Sequence, residues 1–368
     1  MIRVGFLTTL GVNVGDEFIR NGIRAILDRT GVPYTPLYVN KHDPASLHDS
    51  AEDEDTVTTD KFYASDIFLQ SGAPVYWNMK SGANSLNSEW HEWMWLQRIL
   101  GSTEAAGPIF ANLGAGSCQA WNEGASDFLA HPGCAEFARL AHDRARLTTV
   151  RDPVGKAIIS ALGFSVEALP CPAFLAASRW ASPSTRTGLI GVNFMPMGSH
   201  YDIEGNFPIA KWHDQVAGML KGLRRQGRLL FIAHDALEAE FQRQLLAPGE
   251  RMFYSPSWRD YLDVLSSCSL VVANRVHGAV TAAGFGVPAV ILGNDTRAQI
   301  GDYLEIPRYR SGFTDPASIT DCTADLLAQR PTESSRLLEL RATTLSRYID
   351  LLRPIMDVAS ESANLRSQ

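Results

Sequence analysis

Short β-rich runs alternate along this chain with stretches whose apolar positions recur every three or four residues. The runs predict buried strands at residues 2–8, 67–70, 109–113, 147–150, 188–193, 228–233, 270–273 and 289–292. The stretches between them predict helices. Over 16–30, for example, Phe18, Ile19, Gly22, Ile23, Ile26 and Leu27 fall on one helical face. Repeated strand–helix alternation implies parallel sheets with helices on both sides. The alternation stops at "ASRWASPSTRTG", which has no period and is rich in Ser, Thr, Arg and Pro, and it restarts at "LIGVNF". The pattern therefore reads as an α/β chain of two Rossmann-like halves facing a cleft. Its divisions are an N-terminal domain over 1–176, a linker over 177–187, a C-terminal domain over 188–332 and a helical segment over 333–368 that packs back on the first half. The acidic stretch 42–60 reads as a solvated loop.

Composition narrows the classes. With 368 residues, 45% hydrophobic and 20% charged, the chain is globular and long enough for two domains. A net charge of −7 argues against a general nucleic-acid partner, so any anion site must be local. Five cysteines without a CxxC pair fit a reducing compartment and not a disulfide scaffold or zinc knuckle. The nine histidines lack metal-ligand spacing, so no metal is expected. The N-terminus reads as a first strand and not as a signal peptide. The longest uncharged run, 278–293, is broken by glycines and Pro288 and is too short to span a bilayer. A cytoplasmic protein is expected.

Familiar loops are missing: there is no GxxxxGK[ST], no HExxH and no GxSxG. A formal GxGxxA at Gly284, Gly286 and Ala289 lies between a helix and the next strand, the reverse of a dinucleotide-binding context. Chemistry gathers instead in "SLVVANRVHGAVTAAGFGVPAVILG", which places Arg275 and His277 in an otherwise apolar run. They fall between the carboxyl end of a strand and a helix N-terminus, where ligands of open α/β sheets bind and where backbone N–H groups favour anions. A cation there is opposed by the helix dipole, so an anionic ligand would complete it, and removing Arg275 should then cost little stability. The competing reading is an arginine reaching solvent beside a capping histidine. "TTVRDPVGKAIISALGF" repeats the layout in the other half, with Arg151 after a strand and Pro153 opening a helix; the competing reading there is that Asp152 caps the helix and pairs with Arg151. In "GVNVGDEFIRNG", the glycines allow a tight turn after the first strand, and Asp16 and Glu17 start the helix. Their charge suits capping, or neutral sugar hydroxyls, and not a phosphate. Five of the eight tryptophans lie between Trp77 and Trp121, which suits either core packing or stacking on sugars.

Taken together, "NVGDEFIRNGIRAIL", "VRDPVGKAIISALGF" with "PCPAF", and "VVANRVHGAVTAAGFGVPAVILGNDTR" resemble the polysaccharide pyruvyl transferase family. The resemblance implies the two-domain glycosyltransferase (GT-B) architecture. It implies transfer of pyruvate from phosphoenolpyruvate onto sugar hydroxyls as a ketal, with phosphoenolpyruvate as donor substrate and no cofactor. The first domain would take the sugar or glycan acceptor and the second the donor. Arg151, Arg275 and Arg297 would bind the anionic donor, His277 would be the catalytic acid, and Asn13, Gly15, Asp16 and Glu17 would contact substrate. Arg297 stands where the family usually has Lys, and Cys171-Pro172 replace the aspartate common before "PAF". A lipid-linked acceptor, with the enzyme peripheral to a membrane, stays open. So do a nucleotide-sugar glycosyltransferase of the same architecture and a non-catalytic glycan- or anion-binding protein.

Overall fold

The computed structural model describes residues 1–9, 13–40, 62–71, 74–77, 109–180, 187–199 and 202–366. The stretch 42–60, the segment 181–186 of the linker, and Trp90 and Trp93 lie outside them.

The first half runs β1 (Ile2–Thr8), α1 (Val14–Thr30), β2 (Tyr34–Asn40), β3 (Ile67–Ser71), β4 (Pro74–Trp77), β5 (Ile109–Cys118), α2 (Ala125–Leu129), α3 (Pro132–Arg144), β6 (Leu147–Val150), α4 (Pro153–Ala161) and β7 (Glu167–Ala168). Its strands are parallel, in the order β2-β1-β3-β5-β6-β7, with β4 also beside β5. A 3-10 helix, Pro172–Arg179, leads out of it.

The second half runs β8 (Ile190–Asn193), α5 (Ile209–Gln226), β9 (Leu229–Ile232), α6 (Ala236–Arg243), β10 (Arg251–Phe253), α7 (Trp258–Ser267), β11 (Leu270–Ala273), α8 (Val276–Gly284), β12 (Ala289–Gly293), a 3-10 helix (Thr296–Leu304) and β13 (Arg308–Arg310). This sheet is also parallel, in the order β10-β9-β8-β11-β12-β13. The order reverses between β8 and β11, which opens a crevice at their carboxyl ends. Helices α9 (Pro316–Ala328) and α10 (Arg330–Arg366) close the chain.

Each half follows the doubly wound pattern expected of alternating βα units. Strands absent from the sequence reading sit at sheet edges. β2 carries Pro36, whose missing N–H is tolerable only where one side lacks a neighbour. β10 and β13 have three residues each, too few to show a period.

The two halves share one core. Phe18, Ile23 and Ile26 of α1, Phe174 and Leu175 of the first 3-10 helix, Ala279 and Val280 of α8, and Tyr348, Leu352 and Met356 of α10 belong to a single buried cluster. The 3-10 helix lies against α1 so closely that a Cβ on Gly22 would stand 1.7 Å from the Pro172 carbonyl oxygen. Only glycine fits there. Helix α10 returns to the first half: Tyr348 donates to the Pro170 carbonyl at 3.0 Å, Arg347 pairs with Glu167, and Arg366 pairs with Asp66 at the start of β3. Among the described residues, no helix is long and apolar enough to cross a membrane.

Candidate active site

The carboxyl ends of both sheets meet at a cleft of about 670 Å3. Asn13, Gly15, Asp16, Arg151, Arg275, His277 and Arg297 all line it, although they lie up to 284 positions apart (297 − 13). Glu17 does not. It turns inward to pair with Arg20, both side chains being almost wholly buried, and Arg20 lies over the Tyr38 ring. Glu17 is thus part of the packing between α1 and its sheet.

Asn13, and not Asp16 or Glu17, caps α1: its Oδ1 accepts from Gly15 N at 3.0 Å. The turn brings Gly15 against His277. A Cβ on Gly15 would stand 2.7 Å from His277 Nδ1, so the glycine makes room for an imidazole from the other half. Asp16 presents its carboxylate at the cleft wall while only 7% exposed.

Arg151 follows β6 and is 2% exposed. Its Nη1 lies 3.6 Å from Cys171 Sγ and 3.2 Å from His277 Nε2. A guanidinium only donates, so Nε2 of His277 accepts. The ring is therefore neutral, with its proton on Nδ1. Electrostatics agree: burial first, then Arg151, Arg297, His234 and Arg275, holds His277 well below the ordinary imidazole range. Cys171 has the opposite displacement, its thiol pushed up by burial although Arg151 works against this.

Asp152 caps α4 as the sequence suggested, accepting from Gly155 N at 2.7 Å. Its remaining capacity goes to Ser117, through the backbone N at 2.7 Å and Oγ at 2.9 Å, and not to Arg151.

Arg275 is the N-terminal flanking residue of α8, and its backbone N donates to Asn193 Oδ1 at 2.8 Å. The expectation of an uncompensated cation fails here. Its Nε lies 2.5 Å from Glu238 Oε1 and its Nη2 2.5 Å from Asp235 Oδ2. The Glu238 side chain is 1% exposed, and its other oxygen accepts from Asn193 Nδ2 at 2.8 Å and His234 N at 2.9 Å. Two carboxylates from α6 and its cap balance the charge that the helix dipole opposes. Arg297 is held likewise by Asp295, through Nε at 2.8 Å and Nη2 at 2.5 Å.

Sequence reasoning missed these acids, and also His234, which lines the cleft 8% exposed, its imidazole driven down to about 3 by burial and by Arg275. Asp235, Glu238 and His234 lie 37 to 41 positions before Arg275 (275 − 238 and 275 − 234), and only the sheet order brings β9 near β11. A helix start at Asp235 after a predicted strand was the one available signal. Of the tryptophans, Trp77 is fully buried yet touches the cleft, and Trp121 packs beside Arg308 and Arg310. Among the described residues, no three His, Cys, Asp or Glu side chains are grouped as a metal would require.

Two parallel Rossmann-like sheets with a charged cleft between their carboxyl ends define the GT-B architecture. The family within that class follows from the sequence: residues 13–296 match the polysaccharide pyruvyl transferase model, and the chain belongs to that family of transferases. Solved structures resemble the fold. A putative UDP-N-acetylglucosamine 2-epimerase from Listeria monocytogenes is 11% identical, with 91% of this chain and 90% of that one covered and a TM-score of 0.54. MnaA of S. aureus, solved with UDP, is 10% identical over 91% of each chain, with a TM-score of 0.53. The UDP-GlcNAc 2-epimerase of Methanocaldococcus jannaschii, solved with UDP-GlcNAc and UDP, is 10% identical over 89% of this chain and 93% of that one, with a TM-score of 0.50. A search of curated proteins gave no match.

Proposed function

We propose that this transferase moves pyruvate from phosphoenolpyruvate onto two hydroxyls of a sugar, as a cyclic ketal. The observation that carries the reading is the convergence of Arg151, Arg275, Arg297 and His277 on one cleft, in a chain of this family. The donor bears a phosphate and a carboxylate, and guanidinium groups fork onto both. Asn13 and Asp16, which also line the cleft, suit a sugar: a carboxylate accepts from hydroxyls and repels the donor's phosphate. The acceptor is a unit of a polysaccharide, glycolipid or glycoside, and the reaction is placed in the cytoplasm.

In the reaction the donor's methylene carbon takes a proton, and its C2 takes the first acceptor oxygen. The C2–O bond to phosphate then breaks, and the second acceptor oxygen closes the ketal. Of the two hydroxyl protons released, one replaces the proton given to the methylene and the other leaves with phosphate. His277 is the proton donor to carbon. As it stands the ring is neutral, so the donor must help to charge it. Burial is the main cause of its lowered pKa and the guanidiniums add to it; a dianionic group brought against the ring cancels their field and supplies a counter-charge for the imidazolium, and donor binding thereby takes up a proton. The fixed cations stabilise charge on the departing phosphate without reorganisation. No step calls for a metal, and turnover should persist in EDTA.

A ligand that binds only the native state raises its melting temperature by mass action. Phosphoenolpyruvate should therefore stabilise the protein while UDP-sugars do not. Stabilisation by a nucleotide sugar alone would overturn the reading in favour of a glycosyltransferase.

A further inference from the structure

The loops that carry Arg151 and Arg297 to the cleft are joined by a chain of buried hydrogen bonds that the proposed chemistry does not use. Thr296 precedes Arg297, and Asp152 follows Arg151. Between them lies Ser117, at the end of β5. Thr296 Oγ1 is 3.0 Å from Ser117 Oγ, and Ser117 Oγ is 2.9 Å from Asp152 Oδ1. Gln119 N donates to the same Thr296 Oγ1 at 2.9 Å, and Thr296 N donates to the Gln119 carbonyl at 3.0 Å. Ala120 and Asp295 form an antiparallel bridge beside them. Ser117, Gln119 and Thr296 are fully buried, and Asp152 is 1% exposed.

Proton counting gives this chain one direction. A carboxylate accepts, so the single Ser117 hydroxyl proton goes to Asp152. Thr296 then supplies the proton between the two hydroxyls, while its lone pairs take the Gln119 N–H. Each hydroxyl donates once and accepts at least once. Such a relay fixes angle as well as distance, which apolar contact between two domains does not.

We propose that Thr296 is a positioning residue. Its hydroxyl, bonded to Ser117, ties the loop carrying Arg297 in the second half to the loop carrying Arg151 in the first, so the spacing of these two cleft cations is set before any ligand arrives. Domain pairs of this kind commonly close by hinge motion around a ligand. Here the two loops are already joined, and the halves keep one separation at that point. The relay therefore selects a ligand with two anionic groups a fixed distance apart. That last step rests on the donor reading above; the tie between the halves does not.

Two measurements on the full chain separate these claims. The first is the distance between spin labels at Glu136→Cys on α3 and Glu240→Cys on α6, both exposed positions, in a Cys322→Ala background. The parent and Thr296→Ser should give one narrow distribution, and Thr296→Val, which keeps the shape and loses the hydroxyl, a broader one. Ser117→Ala, which removes only the middle of the relay, should broaden it as well and serves if the valine variant does not fold. The second is phosphoenolpyruvate binding by calorimetry. Loss of one hydrogen bond's worth of preorganisation should weaken it by about tenfold in Thr296→Val, with recovery in Thr296→Ser. A narrow distribution in both hydroxyl-deletion variants would overturn the proposal. Broadening in a protein whose parent does not bind phosphoenolpyruvate would uphold the tie and refute the donor.

Discussion

Arg275 shows how far a single residue's role depends on partners that the sequence does not place beside it. Read alone, a cation at a helix N-terminus looks electrostatically incomplete. In the fold it neutralises Glu238, which is almost wholly buried, and Asp235. Removing one member of a buried pair leaves the other charged and unpaired, which costs about 3–5 kcal/mol. Arg275→Met should therefore destabilise the protein by that order in denaturant melts, and the double variant Arg275→Met, Glu238→Gln, which removes the unpaired charge but keeps an oxygen to accept from Asn193 and His234 N, should recover much of the loss. A single variant as stable as the parent would show that the pair contributes nothing. The histidines make a second prediction at this scale. In the unfolded chain both His234 and His277 protonate near pH 6.5, whereas in the native protein His234 stays neutral down to about 3 and His277 well below its ordinary value. Protons then favour the unfolded chain, so their contribution to stability is complete above pH 6.5 and is lost as pH falls. Each adds a slope of up to about 1.4 kcal/mol per pH unit in that window. His234→Gln should flatten the acid side of the stability profile by one such increment; an unchanged profile would mean that the native ring protonates normally.

At the scale of elements, legibility followed burial. β1, β6 and β11 were read at their observed limits, because apolar and β-branched residues gather where both faces of a parallel strand are covered. Edge strands were not, since β2 breaks its run with Pro36 and β10 and β13 are too short for a period. The segment 177–187 read as linker begins inside a buried 3-10 helix, where Ala177 is core, because small residues such as Ala and Ser show no periodic contrast. The arginines and histidine of the cleft were legible because strand ends point to where side chains converge. Their carboxylate partners were not, because pairing across β9, β8 and β11 depends on strand order, which local pattern does not encode. Gly22 offers the test at this scale. Its substitution by Ala puts a methyl into the Pro172 carbonyl, a backbone atom that cannot rotate away. Overpacking usually costs about 1–3 kcal/mol, and a backbone clash belongs at or above the top of that range. Gly22→Ala should lower the denaturation midpoint accordingly, whereas Gly31→Ala, with open space around it but φ of +81°, should cost less.

At the scale of the whole molecule, the halves look separable by sheet but not by core. Phe18, Phe174, Val280 and Tyr348 lie in one cluster that crosses between them. Thermal unfolding should therefore be a single transition with matching calorimetric and van't Hoff enthalpies; two resolved transitions would show that each sheet is an independent unit. The return of α10 to the first half also has a consequence for the order in which the protein comes into being. A chain emerges from the ribosome N-terminal end first, and domains commonly fold as they appear. Here α1 waits for Leu337, Tyr348, Leu352 and Met356, which are made last. The first half is translated early yet completes its core only near the end of synthesis, so nascent chains stalled before residue 330 should stay open to protease throughout residues 14–30, and chains that include 366 should not.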